Sequence, residues 1–189
     1  MRAWGFHRPR AAAPSAVELA EAREAVAAAV VELDGEVARL PSAHTQLDFG
    51  AIGVGFGIDR ALAVLRARGI VRAFVDVSGD IAASGAPPGE PGWLVGVADP
   101  ARPGGGGSIA ATRLRDAALA TAANTVSVVR YGTLVAGHVM DPATGWPAHR
   151  LVQASVVART ATAADALSTA MLVSGRPSPG VLRGYAVRG

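Results

Sequence analysis

Asp165 and Thr169, in the stretch TAADALSTAMLVSG, lie four residues apart and therefore share one face of any helix that carries them. An acid and a hydroxyl stacked in this way can offer two oxygens to a hard cation such as Mg²⁺, which keeps its remaining positions for water and phosphate. A plainer reading stands beside it. Thr162 and Asp165 have capping spacing, so Asp165 can equally serve to close a helix start.

The second chemically suggestive stretch is GHVMDPATG, residues 137 to 145. Asp, Pro and Gly are the residues that β-turns select. His138 beside them can act as a general base or contact a nucleotide, because neutral imidazole both donates and accepts near pH 7. A lone histidine can also be no more than a satisfied polar group.

The third is QLDFGAIGVGFGIDRALAVLRARG, residues 46 to 69, with glycines at 50, 53, 55 and 57 ahead of an amphipathic helix. Such glycines let backbone N–H groups face a phosphate, and a helix N-terminus adds its dipole and unpaired donors. Close packing of helix and sheet is the competing explanation. The spacing is not the G-x-G-x-x-G of a Rossmann loop. Asp76, at the end of the next strand, nevertheless stands where a ribose-binding acid would, which keeps a dinucleotide-binding oxidoreductase as a rival.

The elements that must position these groups alternate along the chain. Ser15 and Glu18 have capping-box spacing before an Ala- and Glu-rich helix over 16 to about 29. VVELDGEVARL reads as a hairpin turning at Asp34-Gly35. TQLDF is a short extended piece, and the helix through GIDRALAVLRARG ends at Gly69 as a C-terminal cap. VRAFVDV reads as a buried strand; GWLVGVADP and SIAATRL are further strands, joined by a flexible GGGGS at 104 to 108. The segment after MLVSG is rich in Pro, Gly and Arg and is expected to be loosely ordered.

Composition narrows the chemistry. The 189 residues, half of them hydrophobic, suit one domain with a real core. No cysteine is present, which removes disulfides, thiolate metal sites, iron–sulfur clusters and a thiol nucleophile. The net charge of +3 rests on 18 arginines and no lysine. They are scattered without interleaved aromatics, so nucleic acid is not an expected partner. No apolar run approaches the ~18 residues of a transmembrane helix, and acidic residues interrupt any signal-peptide core. The chain as it stands is therefore expected to be cytoplasmic.

The order of the motifs is more specific than any one of them: LDFGAIGVGFGIDRAL, FVDVSGDIAASG, GWLVGVADP, ALATA, GHVMDPATGWP and AADALSTAMLVSG. This series resembles the ApbE family of FAD:protein FMN transferases over about residues 4 to 175. The resemblance implies a single α+β domain, T-fold-like, with a mixed, largely antiparallel sheet and packed helices. Residues 1–175 would be the C-terminal portion of such a domain, incomplete at the N-terminus, and 176–189 a tail. It also implies Mg²⁺-dependent splitting of FAD, attachment of FMN to a threonine of a target flavoprotein, and release of AMP.

By the same resemblance the metal ligands fall on Asp165, Thr169 and the carbonyl of Gly53, where the family usually has alanine. His138 and Asp141 fall on the catalytic His-x-x-Asp-Pro positions. Gly50, Gly53, Gly55, Asp59, Asp80, Thr121 and His138 fall at cofactor-binding positions. Three departures bear on activity: Val54 replaces the loop lysine, Ala122-Ala123 replaces Ser-Gly, and Ser78 replaces the first glycine of Gly-Gly-Asp. Many family members are exported or lipid-anchored. With the family's N-terminal half absent from this chain, an uncovered sheet edge or apolar face, and association with that half or with itself, are expected. The alternatives are an inactive or partner-dependent flavin-binding remnant of the family and, second, the Rossmann-type oxidoreductase.

Overall fold

The computed structural model describes residues 1–102 and 106–188. A short 3₁₀ turn, Arg2–Trp4, precedes helix α1 (Ala16–Ala27), strands β1 (Glu32–Asp34) and β2 (Val37–Arg39), helix α2 (Gly53–Ala67) and strands β3 (Ala73–Val77) and β4 (Asp80–Ser84). Strands β5 (Trp93–Ala98), β6 (Ser108–Leu114), β7 (Ala117–Ala123), β8 (Val128–Tyr131), β9 (Leu134–Gly137) and β10 (Gln153–Ala158) follow, then helix α3 (Ala161–Ser174) and strand β11 (Arg183–Val187). Gly104 and Gly105 of the expected flexible connection lie outside the described residues. Among those described, no helix is long and apolar enough to cross a membrane.

Two compact units emerge, one of residues 1–48 and 124–148, the other of 49–123 and 149–189. The second is built on a five-stranded sheet in the order β11-β10-β7-β4-β3. Every recorded strand pair is antiparallel, which removes the parallel βαβ frame a Rossmann reading requires. Period-two alternation sorts the side chains onto two faces. Ile81, Ala83, Leu119 and Val157 pack under Val95, Val97 and Leu114 of the β5–β6 hairpin. The opposite parity is made of Ala82, Ala118, Ala120, Ala154 and Val156, all buried. These small residues leave room for α3, whose Met171 lies over Gly184 of β11.

In the first unit Trp4, Leu19 and Ala136 form a small core with Phe6, Tyr131 and Leu134 around it. The capping box of α1 forms as its sequence predicts: Ser15 Oγ accepts from Glu18 N, and the Glu18 carboxylate accepts from Ser15 N.

Four expectations shift. The β1–β2 loop is Gly35-Glu36 instead of Asp34-Gly35, because Asp34 still pairs with Val37 and Gly35 takes the left-handed φ of 58°. Helix α2 starts at Gly53, so three of the glycines lie inside its first turns; tertiary contacts override their poor propensity. Strand β3 is an exposed edge of the sheet, not a buried strand. The expected loose tail contributes β11, whose backbone pairs with β10 from Gln153↔Val187 to Val157↔Arg183; its pairing partner is distant in sequence.

Candidate active site

The second unit brings the starts of α2 and α3 together, and each is capped by an aspartate of the other. Asp59 of α2 accepts through Oδ1 from Ala161 N at 2.8 Å and through Oδ2 from Thr162 N at 2.9 Å. The Thr162 hydroxyl also donates to Oδ2. In return, Asp165 of α3 accepts from Gly55 N at 3.0 Å through Oδ2. A helix start presents unpaired N–H groups and a positive dipole end, so a carboxylate is the favoured partner at both. No side chain caps α2 locally, whereas Thr160 accepts from Ala163 N and caps α3. Thr160 therefore performs the task that Thr162 and Asp165 were the candidates for.

The glycines of α2 have different uses. A Cβ on Gly55 would collide with the carbonyl of Ala161, so the group that approaches this backbone most closely is the start of α3. Its N–H, expected at a cofactor, is taken by Asp165. At Gly53 a Cβ would meet only Phe49 Cβ at 3.8 Å, so the alanine usual in the family would fit. Gly57 faces open space, and Gly50 sits in the turn before the helix.

Asp165 is 6 % exposed. Burial raises its pKa, opposed by the hydrogen bond from Gly55 N. Asp80, the first residue of β4, accepts from Thr121 N at 3.1 Å. Its pKa is pushed up to about 6, first by burial and then by the charges of Asp165 and Asp76, against the pull of the Thr121 N–H. Among the described residues neither carboxylate has an ion pair. Thr121 shares a hydrogen bond with Ser155 across β7 and β10, Oγ to Oγ at 2.8 Å. Thr169 is half-buried one turn beyond Asp165. Asp59, a residue the resemblance puts at a cofactor-binding position, holds the helix pair together through its bonds to Ala161 N and to Thr162.

Ser78, which stands where the family has glycine, has a φ of 55°, followed by Gly79 at 96°. This tight turn presents Asp80, and Asp76 steadies it by accepting from Gly79 N at 2.9 Å.

The first unit carries His138 and Asp141. Asp141 forms the turn its sequence favours: Oδ1 accepts from Ala143 N, and its carbonyl accepts from Gly145 N. Trp4 Nε1 donates to Gly145 O at 2.8 Å, and its ring meets Trp146 edge-on at 5.0 Å. His138 Nδ1 is buried without a hydrogen-bond partner among the described residues. Trp4, Asn124 and Thr160 were missed by sequence reasoning. Only Thr160 left a local signal, as a threonine three residues before Ala163 at the start of an apolar helix.

An antiparallel sheet backed by a helix pair is an α+β architecture, and solved flavin transferases share that fold. The sequence pattern of the ApbE family matches residues 1–182; the chain belongs to that family. The FAD:protein FMN transferase of Treponema pallidum is 32 % identical over 191 residues, spanning 93 % of this chain and 52 % of that protein. The enzyme of the same name from Rhodobacter capsulatus is 31 % identical over 93 % of this chain and 34 % of its own length. The ApbE protein of Thermotoga maritima superposes with a TM-score of 0.80 at 28 % identity, covering 92 % of this chain and 57 % of its own. The chain thus spans about half the length, or less, of the relatives it matches.

Proposed function

We propose that the chain serves Mg²⁺-dependent transfer of FMN from FAD to a threonine hydroxyl of a target flavoprotein, with release of AMP. The observation that carries this reading is the buried carboxylate of Asp165, fixed on the start of α2 and near a second carboxylate, Asp80, with no basic side chain paired to either among the described residues. Two acids held so are unfavourable unless a cation or protons offset them.

The available donors suit Mg²⁺: the Asp165 carboxylate, the Thr169 hydroxyl and the Gly53 carbonyl are all hard oxygens. Among the described residues no cluster of three or more acidic or histidine side chains is assembled, so a backbone and a hydroxyl oxygen are needed to complete such a set. When bound, the ion would neutralise diphosphate charge and polarise the phosphorus. In the reaction the threonine Oγ bonds to the FMN phosphorus, the bond to the AMP oxygen breaks, and the hydroxyl proton passes to a base. His138 or Asp141 would take it. Gly50, Gly53, Gly55, Asp59, Asp80, Thr121 and His138 are the candidates for nucleotide contact.

A second reading, flavin binding without turnover or only with a partner chain, is favoured by Val54. It is 39 % exposed in the first turn of α2, where the family has lysine, and supplies no charge to a diphosphate. Incubating the chain with FAD, Mg²⁺ and a threonine-containing acceptor, then measuring acceptor mass, separates the two. A Mg²⁺-dependent gain of one FMN supports transfer; FAD binding with no gain supports the second reading and overturns the first.

A further inference from the structure

Asn124, which follows β7, makes three side-chain hydrogen bonds, all to the two stems of the loop that carries His138 and Asp141. Oδ1 accepts from Val139 N at 2.9 Å, while Nδ2 donates to Val139 O at 3.1 Å and to Ala148 O at 2.8 Å. The stems also pair with each other: Ala148 N donates to Val139 O at 2.8 Å, Met140 bridges Pro147, and Asp141 N donates to Trp146 O at 2.8 Å. One amide therefore reads the peptide after His138 and the last peptide of the returning stem.

We propose that Asn124 is a positioning residue that sets the backbone from which His138 and Asp141 are presented, an assignment that rests on reading those two as the groups acting on the nucleotide. The chemistry of the position requires an amide. Two donors face two carbonyls and one acceptor faces an N–H; aspartate supplies no donor when ionised and leucine supplies neither. The neighbouring residue is matched to it, because a Cβ on Gly137 would collide with both the side-chain amide and the carbonyl of Asn124.

The imidazole has no hydrogen bond of its own to fix it: Nδ1 is buried and unpartnered among the described residues, and Phe6 meets the ring edge-on at 6.4 Å. The Phe6 contact and the backbone on either side are what set its direction. That backbone is held on one side by His138 N donating to Ser127 O at 3.1 Å and on the other by Asn124 at Val139.

The test uses the whole chain and two variants, Asn124→Ala and Asn124→Asp, read by amide hydrogen exchange residue by residue. In Asn124→Ala the Val139 amide should lose about tenfold of its protection, the loss of one net hydrogen bond, while amides of α3 keep theirs. In Asn124→Asp a carboxylate oxygen can still accept from Val139 N, but at neutral pH it faces the Val139 and Ala148 carbonyls without a donor. Protection should therefore fall at Ala148 N, which donates to Val139 O, and be partly regained in acid, where a protonated carboxyl again donates to one carbonyl. FMN transfer by Asn124→Asp should likewise rise as pH falls relative to the parent, and Asn124→Ala should show no such recovery. Unchanged protection at Val139 in Asn124→Ala, or loss spread equally through α3 and not restored by acid in Asn124→Asp, would overturn the assignment. A parent chain that transfers no FMN but shows the local exchange pattern would refute the transferase reading while upholding the role of Asn124 in the loop.

Discussion

The α2–α3 joint and the His138–Gly145 loop solve the same problem, holding polar groups still, with opposite chemistry. At the joint the fasteners are charged. Asp59 and Asp165 come from positions more than a hundred residues apart, and each neutralises the other helix's start. At the loop the fasteners are neutral: the Asn124 amide and the Trp4 indole meet carbonyls and one N–H. A carboxylate that caps through one oxygen keeps further lone pairs for a cation, so the joint is both scaffold and candidate metal site. An amide bonded through both its atoms has little left to offer a ligand. That residue can only position.

The largest effect is expected at the closest approach of the two helices. Gly55→Val places a side chain where Ala161 backbone stands, and should cost about 3 kcal/mol or more; a guanidinium melt checks it. Next, Asp59→Ala leaves Ala161 N and Thr162 N without their acceptor while the Thr160 cap remains, and should cost about 1–2 kcal/mol. It should also weaken Mg²⁺ binding measured by calorimetry, since α3 carries Asp165. Asp59→Asn should lose less.

The neutral fastening responds more mildly. Trp4→Phe removes the bond to Gly145 O and should cost about 1 kcal/mol, with Mg²⁺ affinity unchanged. A matching loss of Mg²⁺ affinity would contradict independent fastening of the two regions.

Asp80, beside the charged joint, also predicts a pH response. Burial holds the Asp80 pKa at about 6, above its ordinary carboxylate value. The protonated form is therefore favoured in the folded state. Its contribution is full below the ordinary carboxylate pKa and is lost as pH rises through about 6. Without Mg²⁺ the melting temperature should fall over that interval, and Asp80→Asn should flatten the fall. Added Mg²⁺ should raise the melting temperature well above pH 6 and have little effect near pH 4. The smallest effect is at Ser78, whose φ of 55° suits glycine: Ser78→Gly should gain about 0.5–1 kcal/mol.

What the sequence revealed follows the reach of each interaction. The Ser15–Glu18 box, the glycine after α2 and the strands around GWLVGVA and SIAATRL were legible because their determinants lie within a few residues. The four glycines of 50–57 were visible, yet their meaning was not: Gly55 is glycine because of Ala161, 106 positions later. The start of α2 was placed late for the same reason, since its cap is Asp165. Asp165 and Thr169 could be singled out from spacing, but Asn124 could not, because its partners lie 15 and 24 residues away. Strand β11 was hidden by its Pro- and Gly-rich approach and is made by pairing with β10.

On the proposed reading the Asp165 carboxylate holds a cation and does more than cap α2. Asp165→Asn retains an oxygen for the Gly55 N–H and removes the charge. FAD binding by the parent and the variant, each titrated with Mg²⁺, separates the two roles. The variant should melt within about 1 kcal/mol of the parent and lose the Mg²⁺-dependent component of FAD binding. Equal Mg²⁺-dependent binding in both proteins would contradict the proposed reading and leave Asp165 as a helix cap.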